Sequence, residues 1–259
     1  MNITIASTSN QGGRASNQDQ TGEVLGNRAA CFVVCDGIAG FPGGDIAAKL
    51  ARDTILQNFD GEKHLNAQSI RQHITRANAA IHQQQRQSDE YSKMGTTLVS
   101  LFIDRDYQLA YWAHAGDSRL YLFRRGYLHA VTTDHSLIQQ MQDAGYQTNG
   151  INSNLLYFAL GLNEERDATY SDVLQLEDGD VFLLCTDGFW HSFSQAELEQ
   201  SLHMVNSPSE WIALMQQAWK KNNNSDNYSA IAVWIGSPQE TTLLHSLADA
   251  ERFLSREDR

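Results

Sequence analysis

Cysteine is scarce in this chain, with three in 259 residues: Cys31, Cys35 and Cys185. An odd number at wide spacing does not make a disulfide framework. Cys31 and Cys35 stand four apart in the apolar run Ala29–Cys35, on one face if that run is a strand. They are expected as buried free thiols, which suit a reducing compartment. Long apolar runs are missing as well. No stretch of about 18 consecutive apolar residues occurs, so no membrane-spanning helix is expected. The opening MNITIASTSNQGG has no basic region followed by an apolar one, as a secretory leader would. The expected address is the cytoplasm. Positive charge is also short, with 19 Lys and Arg against 31 Asp and Glu and a formal net charge of −12. Such a surface argues against nucleic acid or an anionic membrane as the main partner. It does not exclude a phosphorylated one, because a bound divalent pair cancels charge locally. No internal repeat or low-complexity tract is present.

What remains is an ordinary globular composition, 41% hydrophobic and 19% charged, in a length that allows one large domain or two small ones. Short β-rich runs dominate: Ile3–Thr8, Ala29–Cys35, Thr97–Ile103, Gln108–His114, Arg119–Arg124, Tyr127–Val131, Val181–Cys185 and Ala230–Ile235. Arg125-Gly126 reads as a hairpin turn, and strands without intervening helices imply antiparallel pairing. Helical periodicity covers Asp45–Phe59, with Ile46, Ala47, Leu50 and Ala51 on one face, and Ala67–Arg86, with Ile70, Ile74, Ala77 and Ile81 on another. Ser136–Ala144 is a shorter helix closed by Gly145. Ser194 with Glu197, and Ser207 with Glu210, read as capping boxes, with Pro208 at a first helical position. Gly145–Asn154 is expected as a mobile loop. The pattern is α+β, with helices segregated from antiparallel sheet.

Aspartates recur at one kind of place, a strand end followed by Gly, Asn or Ser. Asp36-Gly37 follows Val33-Val34-Cys35, Asp187-Gly188 follows Leu183-Leu184-Cys185-Thr186, and Asp226-Asn227 precedes the strand Ala230–Ile235. Asp117 in Gly116-Asp117-Ser118 and Asp19 in Asn17-Gln18-Asp19 add to the set. Strand ends hold side chains rigidly, and a following Gly lets a ligand approach. Converging carboxylates stay ionised only around a cation. Oxygen donors without thiolate or imidazole suit Mg²⁺, Mn²⁺ or Ca²⁺, and a two-metal site suits phosphate-ester hydrolysis. Each Asp-Gly alone is most often a turn; the ordered set carries the signal.

That set resembles the PP2C (PPM) family of protein phosphatases, especially its compact bacterial members. The matching motifs run from Arg14 to about Ile235: Arg14-Ala15-Ser16-Asn17-Gln18-Asp19, Asp36-Gly37-Ile38-Ala39-Gly40 with Gly43-Gly44, Gly95-Thr96-Thr97, Gly116-Asp117-Ser118-Arg119 with Tyr121, Thr133-Asp134-His135-Ser136, Ala159-Leu160-Gly161, Thr186-Asp187-Gly188 and Asp226-Asn227. The resemblance implies a four-layer α-β-β-α sandwich of two antiparallel sheets flanked by helices. It implies a phosphatase domain over 1–236; Gly236-Ser237-Pro238 breaks the last strand, and the charged tail over 237–259 is expected as a short helix or disordered. The resemblance also implies a serine/threonine protein phosphatase acting through water activated at a binuclear Mn²⁺ or Mg²⁺ centre, with a third ion possible.

In that resemblance Asp36 bridges both metals, Gly37 gives a carbonyl oxygen to the second, and Asp187 and Asp226 hold the first. Asp19 hydrogen-bonds metal-bound water, Arg14 clamps the substrate phosphate, and Asp117 matches the ligand of a third, weaker metal. Some matches fail. Ile38 and Phe41 stand where relatives often carry His, so the usual general acid is missing, and the Asp117 site is the expected substitute in leaving-group protonation. Gln18 and Ala39 replace a common Glu and Gly. Phe158 replaces an Arg before Ala-Leu-Gly and is expected to alter substrate entry near the flap.

His64, His73, His82, His129, His191, His203 and His245 show no ligand spacing and are expected in surface or ordinary packing roles. His135 is expected as a structural hydrogen-bonder, and Trp190, Trp211 and Trp219 as core or helix-face residues. The alternative function is a pseudophosphatase, a phosphoprotein-binding module of the same fold; a phosphatase of small esters is a third reading. The metal aspartates favour activity. The implied partners are phosphorylated proteins, with a Ser/Thr kinase as opponent and, in some relatives, a type VI secretion setting. Nucleic acid and membrane are not expected, and the chain is expected to be a monomer.

Overall fold

The structure is a computed structural model that describes residues 1–148, 150–152, 155–162, 166–221 and 225–237. The tail expected as a short helix or disordered lies outside the described residues from 238 onward, as does part of the Gly145–Asn154 loop. In chain order the elements are β1 (Ile3–Asn10), β2 (Asp19–Leu25), β3 (Ala29–Asp36), α1 (Gly44–Asn58), α2 (Ala67–Gln85), β4 (Leu98–Asp104), β5 (Leu109–Ala115), β6 (Arg119–Arg124), β7 (Tyr127–Val131), α3 (Leu137–Asp143), β8 (Thr169–Tyr170), β9 (Leu174–Gln175), β10 (Val181–Cys185), α4 (Asp187–Trp190), α5 (Gln195–Leu202), α6 (Pro208–Lys221) and β11 (Tyr228–Ile235).

Two antiparallel sheets pack face to face. One runs β1-β11-β10-β6-β7 and the other β2-β3-β4-β5-β8, with β9 also on β5. The central strands are apolar throughout because both of their faces are covered. In β3, Ala29, Cys31, Val33 and Cys35 turn outward to α1 and α2, while Ala30, Phe32 and Val34 turn inward to the other sheet. In β11, Tyr228, Ala230, Ala232 and Trp234 meet α6, while Ile231, Val233 and Ile235 face inward. The result is four layers, helix on sheet on sheet on helix. The three cysteines are free and buried, and burial drives their thiols up and away from reactive thiolate.

Local signals explain the ends of the elements. Arg125 and Gly126, both at positive φ (55° and 80°), make the two-residue turn between β6 and β7, the twist such a hairpin needs. Helix α3 stops at Gly145, φ +78°, where the Gly145 and Tyr146 N–H groups donate back to the Gln142 and Met141 carbonyls at 2.9 Å each. Ser194 and Glu197 form a full capping box on α5. The expected box at α6 closes differently: Ser207 Oγ accepts from the Glu210 N–H at 3.1 Å, but the Glu210 carboxylate takes the N–H of Asn206 at 2.7 Å. Among the described residues no helix is long and apolar enough to cross a membrane.

Candidate active site

The strand-end aspartates meet at one edge of the sandwich. Asp36 ends β3 and pairs in register with Asp19 at the start of β2. Asp187 starts α4 directly after β10, Asp117 lies between β5 and β6, and Asp226 lies two residues before β11. A cleft of about 330 Å³ opens among them, lined by Arg14, Asp36, Gly37, Asp117, Asp187 and Asp226, with Ile38, Thr97, Leu156 and Asn227 around them.

The backbone beneath Asp36 is locked. Its N–H donates to Thr97 Oγ1 at 2.9 Å, and its carbonyl accepts from the Thr97 N–H and Thr96 Oγ1 at 2.8 Å each. Thr97 Oγ1 also meets Ser118 Oγ at 2.7 Å, which ties the Asp36 strand to the turn carrying Asp117. Gly37 must be glycine, since a side chain there would enter the backbone of Gly44.

The Asp117 turn is held from two further sides. The Trp190 indole N–H donates to the Asp117 carbonyl at 2.9 Å. The Trp190 ring also carries the Arg119 guanidinium 3.3 Å from its centroid, and Arg119 forks onto Asp134 with two 2.8 Å bonds. Trp190, expected as a packing residue, thus supports the site. His135 Nδ1 accepts from the Gly116 N–H at 3.2 Å, and its Nε2 meets Thr169 Oγ1 at 2.9 Å. Burial, with His114 and Arg166 nearby, pushes His135 down to about 4, so it is a neutral hydrogen-bonder. Phe158 is a correction to the expectation about substrate entry. It is buried in the core, with its ring centroid 5.5 Å from that of His135, and is not part of the cleft lining.

Asn227 is the anchor that sequence reading left without a role. Its Oδ1 accepts from the Gln18 N–H at 2.9 Å, and its Nδ2 donates to the carbonyls of Gln11 and Ser16 at 2.8 and 2.9 Å. These bonds fold residues 11–18 over the start of β11 and bring Arg14 to Asp226, where the guanidinium forks onto the carboxylate at 2.8 and 2.9 Å. Gly12, φ +60°, allows the turn to lie against the Asp226 backbone. A sequence cue existed: an Asn directly before a strand start can bond nearby backbone groups through its side chain, but nothing local says which loop.

The electrostatics are those of a cation site. Burial, then the neighbouring Asp19, Asp187 and Asp117, push the Asp36 carboxyl well above its ordinary value. Burial lifts Asp117 to about 7, with Asp187 and Asp134 adding to it, and lifts Asp19 to about 6 against hydrogen bonds from Ser229 and Thr186. Asp187 is also raised, first by burial. Asp19 Oδ1 is buried with no hydrogen-bond partner, although Oδ2 accepts from Thr186 Oγ1 at 3.0 Å. Oxygen donors in excess of local positive charge, one of them orphaned, fit a hard divalent cation. Asp36 lies within hydrogen-bond reach of both Asp187 and Asp19, although among the described residues no three acidic, His or Cys groups form a tight ligand set. Asp226 is instead engaged by Arg14.

Comparison with known proteins agrees with this geometry. A family profile described as Protein phosphatase 2C matches residues 7–232. The chain is 31% identical over 197 residues to the protein phosphatase PhpP of Streptococcus pneumoniae, covering 71% of this chain and 78% of that one. Among solved structures, the catalytic domain of the serine threonine protein phosphatase PstP in complex with two manganese ions is similar at 25% identity and TM-score 0.78, covering 91% of this chain and 99% of that one. PppA of Pseudomonas aeruginosa, described as a key regulatory component of T6SS, is similar at 26% identity and TM-score 0.76, covering 90% and 97%.

Proposed function

The chain belongs to the protein phosphatase 2C family and is a phosphoprotein phosphatase, and from that premise we propose that it hydrolyses phosphoserine and phosphothreonine esters in proteins at a binuclear Mn²⁺ or Mg²⁺ centre. The observation that carries this reading is the convergence of Asp36, Asp187, Asp19 and Asp117, all displaced upward by burial and by one another, beside a forked Arg14. Asp36, Asp187 and Asp226, with the Gly37 carbonyl, would hold the two ions, and Asp117 a third. When bound, such ions acidify water and offset charge on the phosphoryl group.

The chain's own groups do the rest. Arg14 offers a planar fork that suits phosphate as well as it suits Asp226, and its side chain is half exposed at the mouth. A substrate phosphate would compete with Asp226 for that fork and so free a carboxylate that would hold a cation. Asp19, tied to Thr186, orients donors deeper in the cleft. Ile38 and Phe41 carry no proton for the leaving alkoxide, so the proton comes from the Asp117 side of the cleft. No cleft aspartate is replaced, which argues against a silent binding module. A kinase opponent, a cytoplasmic setting and a monomeric state belong to the same proposal.

The test is hydrolysis of p-nitrophenyl phosphate and of a phosphothreonine peptide with Mn²⁺, then with EDTA. Turnover in Mn²⁺ that disappears in chelator is expected; turnover unchanged by chelator overturns the metal reading.

A further inference from the structure

We propose that the mouth of the cleft reads substrate sequence, its Ile38–Phe41 side taking a large apolar side chain that flanks the phosphorylated residue. This rests on the phosphatase reading above and adds to it what the enzyme selects.

The cleft, about 330 Å³ and lined by four aspartates and Arg14 among other residues, accommodates the phosphate-bearing side chain. Neighbouring residues of an extended substrate follow at about 3.3–3.6 Å each and must lie on the rim. That rim is asymmetric. Arg14 and Ser16 form a polar margin. The lining also holds the apolar Ile38, Ala39 and Leu156; Phe41, two residues beyond Ala39 in the chain, is 45% exposed, and Leu162 is 39% exposed. Ile38 and Leu162 adjoin: a Cβ placed on Gly95 would stand 3.3 Å from Ile38 Cδ1 and 3.1 Å from Leu162 Cδ2. The Phe41 ring is open on the solvent side of its loop, with Lys93 Nζ 5.4 Å from its centroid.

A single exposed apolar residue is ordinary. Ile38 and Leu162 adjoining at a reaction cleft, with Phe41 exposed three residues beyond Ile38 on a chain of net charge −12, offer apolar surface that gains by being covered. What covers it in the working enzyme is whatever continues from the cleft, the substrate chain itself. A Leu or Phe laid on Phe41 and Ile38 shields apolar surface on both partners. A Ser or Asp in that place shields none.

The experiment uses the full chain with Mn²⁺ and phosphothreonine peptides that are identical except for the two residues on each side, which are Leu or Ser. The expected kcat/KM is about tenfold higher for the Leu peptide. Phe41→Ser should reduce that preference to about twofold and Phe41→Leu should keep it. A wild-type enzyme that turns over p-nitrophenyl phosphate but treats the peptides alike, or prefers Ser, overturns the rim proposal and leaves the phosphatase reading standing. So does a preference that Phe41→Ser does not change. Dimerisation dispersed by Phe41→Ser would assign the rim to a second copy of the chain and also overturn it. Absence of all turnover, p-nitrophenyl phosphate included, overturns the phosphatase reading beneath it.

Discussion

The protein buries aspartates in two ways, and the difference separates structure from chemistry. Asp180 is fully buried, with Arg124 forked onto it by two 2.8 Å bonds and the Glu177 N–H donating at 2.9 Å. Asp134 meets Arg119 in the same manner. Burial pushes Asp104 up, but the N–H groups of Tyr107 and Leu65 and the His64 ring outweigh it, and the group ends below its ordinary value. At the other end of β3 the cleft aspartates Asp19, Asp36, Asp117 and Asp187 face each other, and these four end above their ordinary value. A buried carboxylate with an Arg partner or converging N–H groups is finished; a group of them turned inward together calls for a cation.

Replacing one member of each set breaks the comparison most directly. Asp36→Asn should lower kcat/KM with Mn²⁺ by at least about a hundredfold while leaving the folded state intact, comparable to loss of a major electrostatic stabiliser. Asp180→Asn should do the reverse, costing about 3 kcal/mol of stability in urea because Arg124 is left without its partner, with near-normal turnover per folded molecule. Similar effects from both would erase the distinction.

Arg14 stands between the two sets, since it grips Asp226 from the rim. Arg14→Ala should raise KM for a phosphopeptide and lower kcat, together about thirtyfold, and Arg14→Lys should recover part of this because a point charge replaces a fork. Unchanged kinetics would remove Arg14 from phosphate binding.

Asp117→Asn sharpens the comparison within the cleft. If Asp117 supports leaving-group protonation, phosphothreonine-peptide turnover should fall about tenfold more than p-nitrophenyl phosphate turnover, because nitrophenolate leaves unaided. Equal loss on both, or loss traced to lowered thermal stability, defeats that role.

The smallest effect is in stability against pH. Asp19 and Asp117 titrate at about 6 and about 7 in the fold, chiefly through burial, against an ordinary 3.8. The fold therefore holds these protons more tightly than the unfolded chain does. Their contribution is favourable at low pH and is lost as pH rises from about 4 through 7. Thermal unfolding in EDTA should show Tm falling by several degrees between pH 5 and pH 8, and Mn²⁺ at pH 8 should restore it. A rising Tm in EDTA would contradict the charge arrangement.

Much of this was legible in the residues. The short apolar runs became β3, β4, β10 and β11, and the aspartates near their ends line one cleft. Strand β2 was not read, because Asp19–Leu25 carries Gly22 and no clean alternation; it forms by pairing along β3. Helix α4 is one turn, too short for periodicity, and β8 and β9 are two residues each. The supports of the site were harder still. Thr96 and Thr97 under Asp36, Trp190 on the Asp117 carbonyl and Asn227 on residues 11–18 act through bonds to distant segments. Nothing in a residue's own neighbourhood names a partner that only the finished fold supplies.

The bracket made by Asn227 sets a timetable. Arg14 reaches Asp226 across 212 positions of sequence, and β1 lies along β11 from Ile3↔Ile235 to Asn10↔Tyr228. A ribosome adding about 5–20 residues per second therefore delivers Arg14 many seconds before its partner Asp226. A chain interrupted before residue 226 lacks an edge for β1, an anchor for its opening loop and an aspartate of the cleft all at once. The cleft is in this way closed only by the last strand to leave the ribosome.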